Sequence, residues 1–409
     1  MDEAGQCRLP VLAHFGEAFS AFVHHKTVAG LTVEEQLRRI KAAGYDGIRF
    51  WDALGYYSVW RGREVMPWSF MNHSGQTIPA TPGYYEQLRD FLGLLQRLGL
   101  TAEHTRGDLN GQTTTRVAEH TARVAAIYDA IGWQTVALFE GVNESWQNGG
   151  FGPADLRRIV APATDRGALV ALSCPPDSSE EPAEVRAYAE GASVFYVHGY
   201  REGEATDRLR HQFSLAYEAA TGTPRLGWQG EPTGPGPGVT VGRVDDPEEL
   251  GLLAVNALMS RQAWVYMSSD GVFWQGPIDA QPGFAVVPKM RAALAAFAAD
   301  VMTWPTLVHG GRPEAVLQSP IGYYQPEHGV MEGPARLDQA LAPDGRVVAV
   351  VHGGRGRKPV RNVGGRTLRL TLVWPEGDQV RTETRTLAPG QTLDLEYRVG
   401  RLILGEPVP

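Results

Sequence analysis

The sequence is poor in several features, and each absence excludes something. Among 409 residues there are two cysteines, Cys7 and Cys174. They lie far apart in different segments, so neither a disulfide framework nor a zinc knuckle is expected. No apolar run reaches the length of about 18 residues that a membrane-spanning helix needs. The first ten residues are polar and lack the apolar core of a secretion signal. A soluble protein is expected, cytoplasmic by default and with secretion left open. Basic charge is also scarce. The formal net charge is -8, which argues against nucleic acid or an anionic membrane as partner, because phosphate binding needs a concentrated basic surface. No glycine-rich nucleotide fingerprint follows any early apolar run, which disfavours an open dinucleotide-binding sheet.

What the sequence does have is alternation. A short apolar run, a loop and a helical pattern recur eight times. The apolar runs are Pro10 to Phe15, Gly47 to Trp51, Thr101 to Thr105, Thr135 to Val142, Ala168 to Ser173, Ala192 to His198, Arg225 to Gln229 and Ala263 to Met267. The helical patterns run from Thr32 to Ala43, Gly83 to Leu98, Arg116 to Ile131, Ala154 to Thr164, Pro182 to Ala189, Asp207 to Ala220, Pro247 to Arg261 and Pro288 to Met302. The runs suit parallel strands buried on both faces. The helical segments carry apolar residues three and four apart, as in Tyr84, Leu88, Phe91, Leu92 and Leu95. Thr32 with Glu35 reads as a capping box, Asp246-Pro247 as a helix start, and Gly44 and Gly99 as helix ends. Strict alternation of this kind predicts a closed (β/α)8 barrel.

After Trp304 the helical period disappears. Short β-rich runs, Arg346 to Val351, Thr367 to Val373 and Thr392 to Tyr397, are separated by the turns Pro343-Asp344-Gly345, Pro375-Glu376-Gly377 and Pro389-Gly390. The expected organisation is a barrel over residues 1–305 and an antiparallel β-sandwich over 306–409, with the stretch from Pro320 to Gln339 unassigned.

In such a barrel, chemistry collects at the carboxyl ends of the strands. The fourth run ends in Glu140-Gly141-Val142-Asn143-Glu144, and the seventh leads into Gly230-Glu231-Pro232. These two strands face each other across the barrel mouth, so Glu144 and Glu231 can converge as the carboxylate pair of a glycosidase. Glu140, four residues before Glu144, competes with it for the same role.

At these residues the chain resembles the clan A glycoside hydrolases, in which an Asn-Glu pair closes strand four and a second Glu closes strand seven. The resemblance implies a retaining glycoside hydrolase acting on an oligo- or polysaccharide without cofactor or metal. By it, Glu144 is the acid/base, Glu231 the nucleophile and Asn143 a ligand of the substrate 2-hydroxyl. Arg49 is expected against the nucleophile, with His104, His198, Tyr200 and Trp274 around the sugar. The loop after strand two adds Trp51, Tyr56, Tyr57, Trp60, Trp68 and Phe70, whose faces could stack on pyranose rings or pack among themselves. Two other readings stand beside this one. A barrel that binds glycans without turning them over would keep the same residues. A metal-dependent barrel hydrolase would need His-x-His after strand one, where the chain offers only His14, with His24 and His25 further on. Oligomeric state is not legible.

Overall fold

A computed structural model describes residues 9–28, 30–54, 62–71, 74–107, 117–132, 135–146, 150–175, 182–198, 222, 226–230, 246–266, 277–304, 306–307, 315–319, 336–352, 356–397 and 399–409. Contacts divide the chain into two compact units. The first draws on residues 1–201, 211–243 and 262–281, the second on 202–210, 244–261 and 282–409.

The first unit is built on eight parallel strands: Val11–His14, Gly47–Trp51, Thr101–Thr105, Val136–Glu140, Val170–Ala171, Phe195–Val197, Gly227–Gln229 and Gln262–Tyr266. Counted in chain order as barrel strands one to eight, they lie side by side as five, four, three, two, one, eight, seven and six. The remaining gap is closed by a bridge between Cys174 and Val197. There the Cys174 N–H donates to the Tyr196 carbonyl, and the His198 N–H donates to the Cys174 carbonyl, each at 3.2 Å. This is the (β/α)8 barrel that the alternation predicts. Strands two and three match the expected ranges residue for residue. Strand two meets strand three at Gly47 opposite Thr101. A Cβ on Gly47 would stand 2.0 Å from the Thr101 carbonyl oxygen, so only glycine permits that approach.

The helices follow their sequence signals. Val33–Ala43 starts on a complete Thr32/Glu35 capping box and ends at Gly44 in the left-handed region. Tyr84–Arg97 buries Tyr84, Leu88, Phe91, Leu92, Leu94 and Leu95. Its Phe91 packs against Phe19 and Phe50. The helix expected over Asp207 to Ala220 lies outside the described residues. No helix among the described residues is long and apolar enough to cross a membrane.

The second unit contains the helices Pro247–Met259 and Val286–Phe297 and two antiparallel sheets. The six-stranded sheet runs in the order Thr306–Leu307, Arg336–Leu341, Val347–His352, Gly400–Pro407, Leu368–Glu376, Gln379–Leu387. The three-stranded sheet is Leu317–Gln318, Gly356–Asn362, Thr392–Tyr397. One hydrophobic core joins them, with Val347, Ala349, Val351, Leu370, Leu372 and Ile403 from the larger sheet and Leu317, Val360 and Leu395 from the smaller. This is the expected β-sandwich. The helix Pro247–Met259 is capped by Asp246, whose side chain accepts from the Glu248 N–H at 2.9 Å. Glu248 in turn accepts from Arg401 Nη1 at 2.6 Å, tying the helix to the strand Gly400–Pro407.

Candidate active site

The barrel interior of the first unit holds a buried polar network where an apolar core would otherwise fill the space. Arg49 lies in the middle of strand two and is paired in register with Glu103 of strand three. Its Nε donates to Glu103 Oε1 at 2.8 Å. Its Nη2 donates to Glu140 Oε2 at 2.9 Å and to Asn143 Oδ1 at 2.8 Å. The Tyr196 hydroxyl of strand six stands 2.7 Å from Glu103 Oε1 and 3.0 Å from Glu140 Oε2. Strand seven contributes the Trp228 indole N–H, which donates to Glu103 Oε2 at 2.7 Å. His198 Nε2 lies 3.0 Å from Glu140 Oε1. Both carboxylates are fully buried, and Arg49 is 2% exposed. Burial of this kind is tolerable only because every charge has a partner.

The two carboxylates differ in charge preference. Burial pushes Glu140 up, but the Arg49 guanidinium and His198, with their hydrogen bonds, outweigh it and hold Glu140 at about 2. Glu103 is raised, by burial first and then by the Glu140 charge, against the opposing pull of Arg49, Tyr196 and Trp228. The geometry agrees. The Tyr196 hydroxyl has one proton for two carboxylate oxygens, so its second close approach is satisfied when a carboxyl donates to it.

Glu144 is of a different kind. It lies past the end of strand four, half-buried, with φ at +44°. Among the described residues only His25 and Arg261 share a positive φ without being glycine. Such a conformation costs roughly 1 to 2 kcal/mol and persists where the surroundings impose it. Here the Glu144 N–H donates to Ser173 Oγ, two residues past strand five, at 3.1 Å, and the preceding Asn143 N–H donates to the Arg106 carbonyl at 3.1 Å. Asn143 Nδ2 reaches Glu144 Oε2 at 3.4 Å. The network sets the two glutamates of this segment in different surroundings. Glu140 is fully buried and held ionised at about 2, which unfits it to donate a proton near neutral pH. Glu144 is only half-buried, with Asn143 Nδ2 at its carboxylate.

Of the residues expected at the site, Arg49, Asn143, Glu144 and His198 come together. The hydrogen bonds of Arg49 run to Glu103, Glu140 and Asn143; its expected partner, Glu231, lies outside the described residues. His104 is not with them. It alternates outward from Glu103 along strand three, is fully buried, stacks on Phe50 at 5.2 Å and meets Asp52 at 3.1 Å. Its ring faces the helical layer and not the barrel axis. Trp51 lies edge-on to His14 at 5.7 Å. Trp68 packs with Ala53, Met66 and Phe70, with Arg123 3.7 Å above its ring, so it belongs to a self-packed loop. Glu231, Tyr200, Trp274 and Trp60, with Tyr56 and Tyr57, lie outside the described residues. Sequence reasoning missed Glu103, Tyr196, Trp228 and Ser173. Glu103 carried a signal, a carboxylate in the middle of a buried strand, which has to be compensated from within. Trp146 is a further addition, edge-on to His198 at 5.5 Å. Among the described residues no group of three or more His, Cys, Asp or Glu could hold a metal ion.

No family model matches the sequence, and no curated protein matches it. The fold, however, has clear counterparts among solved structures. A glycoside hydrolase family 5 protein from Bacteroides vulgatus ATCC 8482 is similar with a TM-score of 0.61 at 10% identity, over 99% of this chain and 91% of that one. A second glycoside hydrolase matches with a TM-score of 0.60 at 11% identity, over 98% of this chain and 93% of its own. A GH51 arabinofuranosidase from Xanthomonas axonopodis pv. citri matches with a TM-score of 0.50 at 14% identity, over 97% and 95%. At these identities the likeness is one of fold. The chain has the fold of the barrel glycoside hydrolases of clan A.

Proposed function

We propose that the protein is a retaining glycoside hydrolase in which Glu144 is the acid/base and Glu231 the nucleophile. The observation that carries this is the pairing of Asn143 and Glu144 past the end of strand four, with Asn143 held by a buried arginine and Glu144 half-buried in a strained backbone conformation. A binding-only module has no need to maintain that strain.

In the first step the Glu231 carboxylate attacks the anomeric carbon while Glu144 gives its proton to the departing glycosidic oxygen. The product is a glycosyl ester on Glu231 and a free alcohol. In the second step the Glu144 carboxylate takes a proton from water, the water oxygen attacks the anomeric carbon, and the ester bond breaks to restore Glu231. Asn143 presents its amide nitrogen beside Glu144, suited to a sugar hydroxyl. His198, two residues before Tyr200 in sequence, stands against Glu140 in the same network.

A panel of aryl glycosides tests this. Turnover is expected for at least one sugar. Glu231→Ala should abolish it. Glu144→Ala should lower kcat by at least about 100-fold on glycosides with poor leaving groups, and far less on those with good ones, because only the former need the proton. Turnover that survives Glu231→Ala would remove the nucleophile assignment.

A further inference from the structure

Glu103 stands at the crossing of two lines of hydrogen bonds. One line runs from Glu103 Oε1 to Arg49 Nε at 2.8 Å, from Arg49 Nη2 to Asn143 Oδ1 at 2.8 Å, and from Asn143 Nδ2 to Glu144 Oε2 at 3.4 Å. The other runs from Glu103 Oε2 to the Trp228 indole at 2.7 Å. Trp228 lies on strand seven, three residues before Glu231. A single fully buried carboxyl group on strand three thus holds the arginine that orients the Asn-Glu pair and the strand that leads to the second glutamate.

We infer that Glu103 is a positioning residue: through Arg49 and Asn143 it fixes the direction of the Glu144 carboxyl group, and through Trp228 it fixes strand seven relative to it. The inference rests on the glycosidase reading for its kinetic consequence. Glu103 does not touch the substrate, and it acts only through the groups it holds.

The physical need is specific. Arg49 Nη2 serves two acceptors, Glu140 Oε2 and Asn143 Oδ1, from one nitrogen. That geometry holds only while the guanidinium plane is fixed, and Nε is the second point that fixes it. With the Nε bond lost, the fork can swing wholly onto Glu140, the stronger acceptor, and release Asn143. A misplacement of about 1 Å transmitted to the reacting group can cost about 100-fold in rate. Both Glu103 oxygens accept from N–H groups, Arg49 on one side and Trp228 on the other. An amide cannot do both, so in Glu103→Gln one donor must face another donor in either orientation of the side chain.

The test is Glu103→Gln, checked for folding by thermal melting, with kcat and KM measured on glycosides of good and poor leaving group. The expected result is a kcat loss of about 100-fold on the poor leaving group, a much smaller loss on the good one, and KM within about threefold of the parent. Trp228→Phe removes the donor that would face the amide nitrogen. The double variant Glu103→Gln/Trp228→Phe should therefore recover the Arg49 contact and at least about tenfold of the lost kcat, and it replaces the single variant if that one fails to fold. Equal losses on both leaving groups, or no recovery in the double variant, would overturn the inference. If the parent turns over no glycoside, the glycosidase reading fails by itself, and Glu103 is then judged by carbon-13 NMR titration of the Glu144 carboxyl. Its midpoint should move by about half a unit or more between the parent and Glu103→Gln; an unmoved midpoint refutes the positioning role.

Discussion

Two glutamates four residues apart show how far local environment outweighs residue identity. Glu140 is enclosed by Arg49, Tyr196 and His198, whereas Glu144 is half-buried and twisted to φ +44°. The strain at Glu144 gives a prediction that needs no substrate. Glycine reaches the left-handed region without penalty, and alanine does not. Glu144→Gly should therefore be more stable than Glu144→Ala by about 1 kcal/mol in urea unfolding, although both lack the carboxyl proposed as acid/base. Equal midpoints would mean that the backbone there is unstrained. At this scale the sequence was partly legible. Asn143-Glu144 could be found because the pair is contiguous and ends a recognisable strand. Tyr196 could not, and Glu103 signalled only that it needed compensation, because their partners lie 93 and 56 positions away, Tyr196 for Glu103 and Glu140 for Tyr196.

At the scale of the element, apolar runs reported burial better than hydrogen bonding. Strands two and three were read to the residue, since their runs are bounded by polar turns and glycine. Strands five, six and seven were read too long. Ala168 to Ser173, for example, pairs only over Val170–Ala171, yet Leu172, Ser173 and Cys174 remain buried beyond it. An apolar run marks what leaves water, and the continuous ladder covers only part of it. Gly230 illustrates a constraint that no local pattern reveals. A Cβ there would come within 2.2 Å of the Tyr196 ring, and that ring is pinned by two carboxylates. Gly230→Ala should thus destabilise the barrel by roughly 1 to 3 kcal/mol, the usual range for overpacking, visible as a lowered urea midpoint. A midpoint equal to that of the parent protein would show that Tyr196 yields, and that the network is looser than its distances imply.

For the molecule as a whole, the buried network links stability to pH, and the sign can be worked out for each carboxyl. Glu140 is lowered from 4.5 to about 2. Its contribution is fully present above about 4.5 and is lost as the pH falls through that window to 2. The shift corresponds to about 3 kcal/mol at most. Glu103 is raised, so its contribution has the opposite sign: it is present below the ordinary carboxylate value and fades as the pH rises through its raised one. The barrel should therefore gain stability from pH 2 to about 4.5 on account of Glu140 and give some back above that on account of Glu103. Other carboxylates, such as Asp52, held down by Arg106 and His104 against burial, add to the acid-side rise. Glu140→Gln isolates the larger effect. At pH 7 it should lower the melting temperature, because Arg49 and His198 lose a charged partner inside the barrel, a change worth about 3 to 5 kcal/mol for a buried pair. Between pH 4.5 and 2 it should flatten the slope of melting temperature against pH, since the group that titrates there is gone. A variant that melts lower at every pH with the parent slope intact would place the acid sensitivity elsewhere.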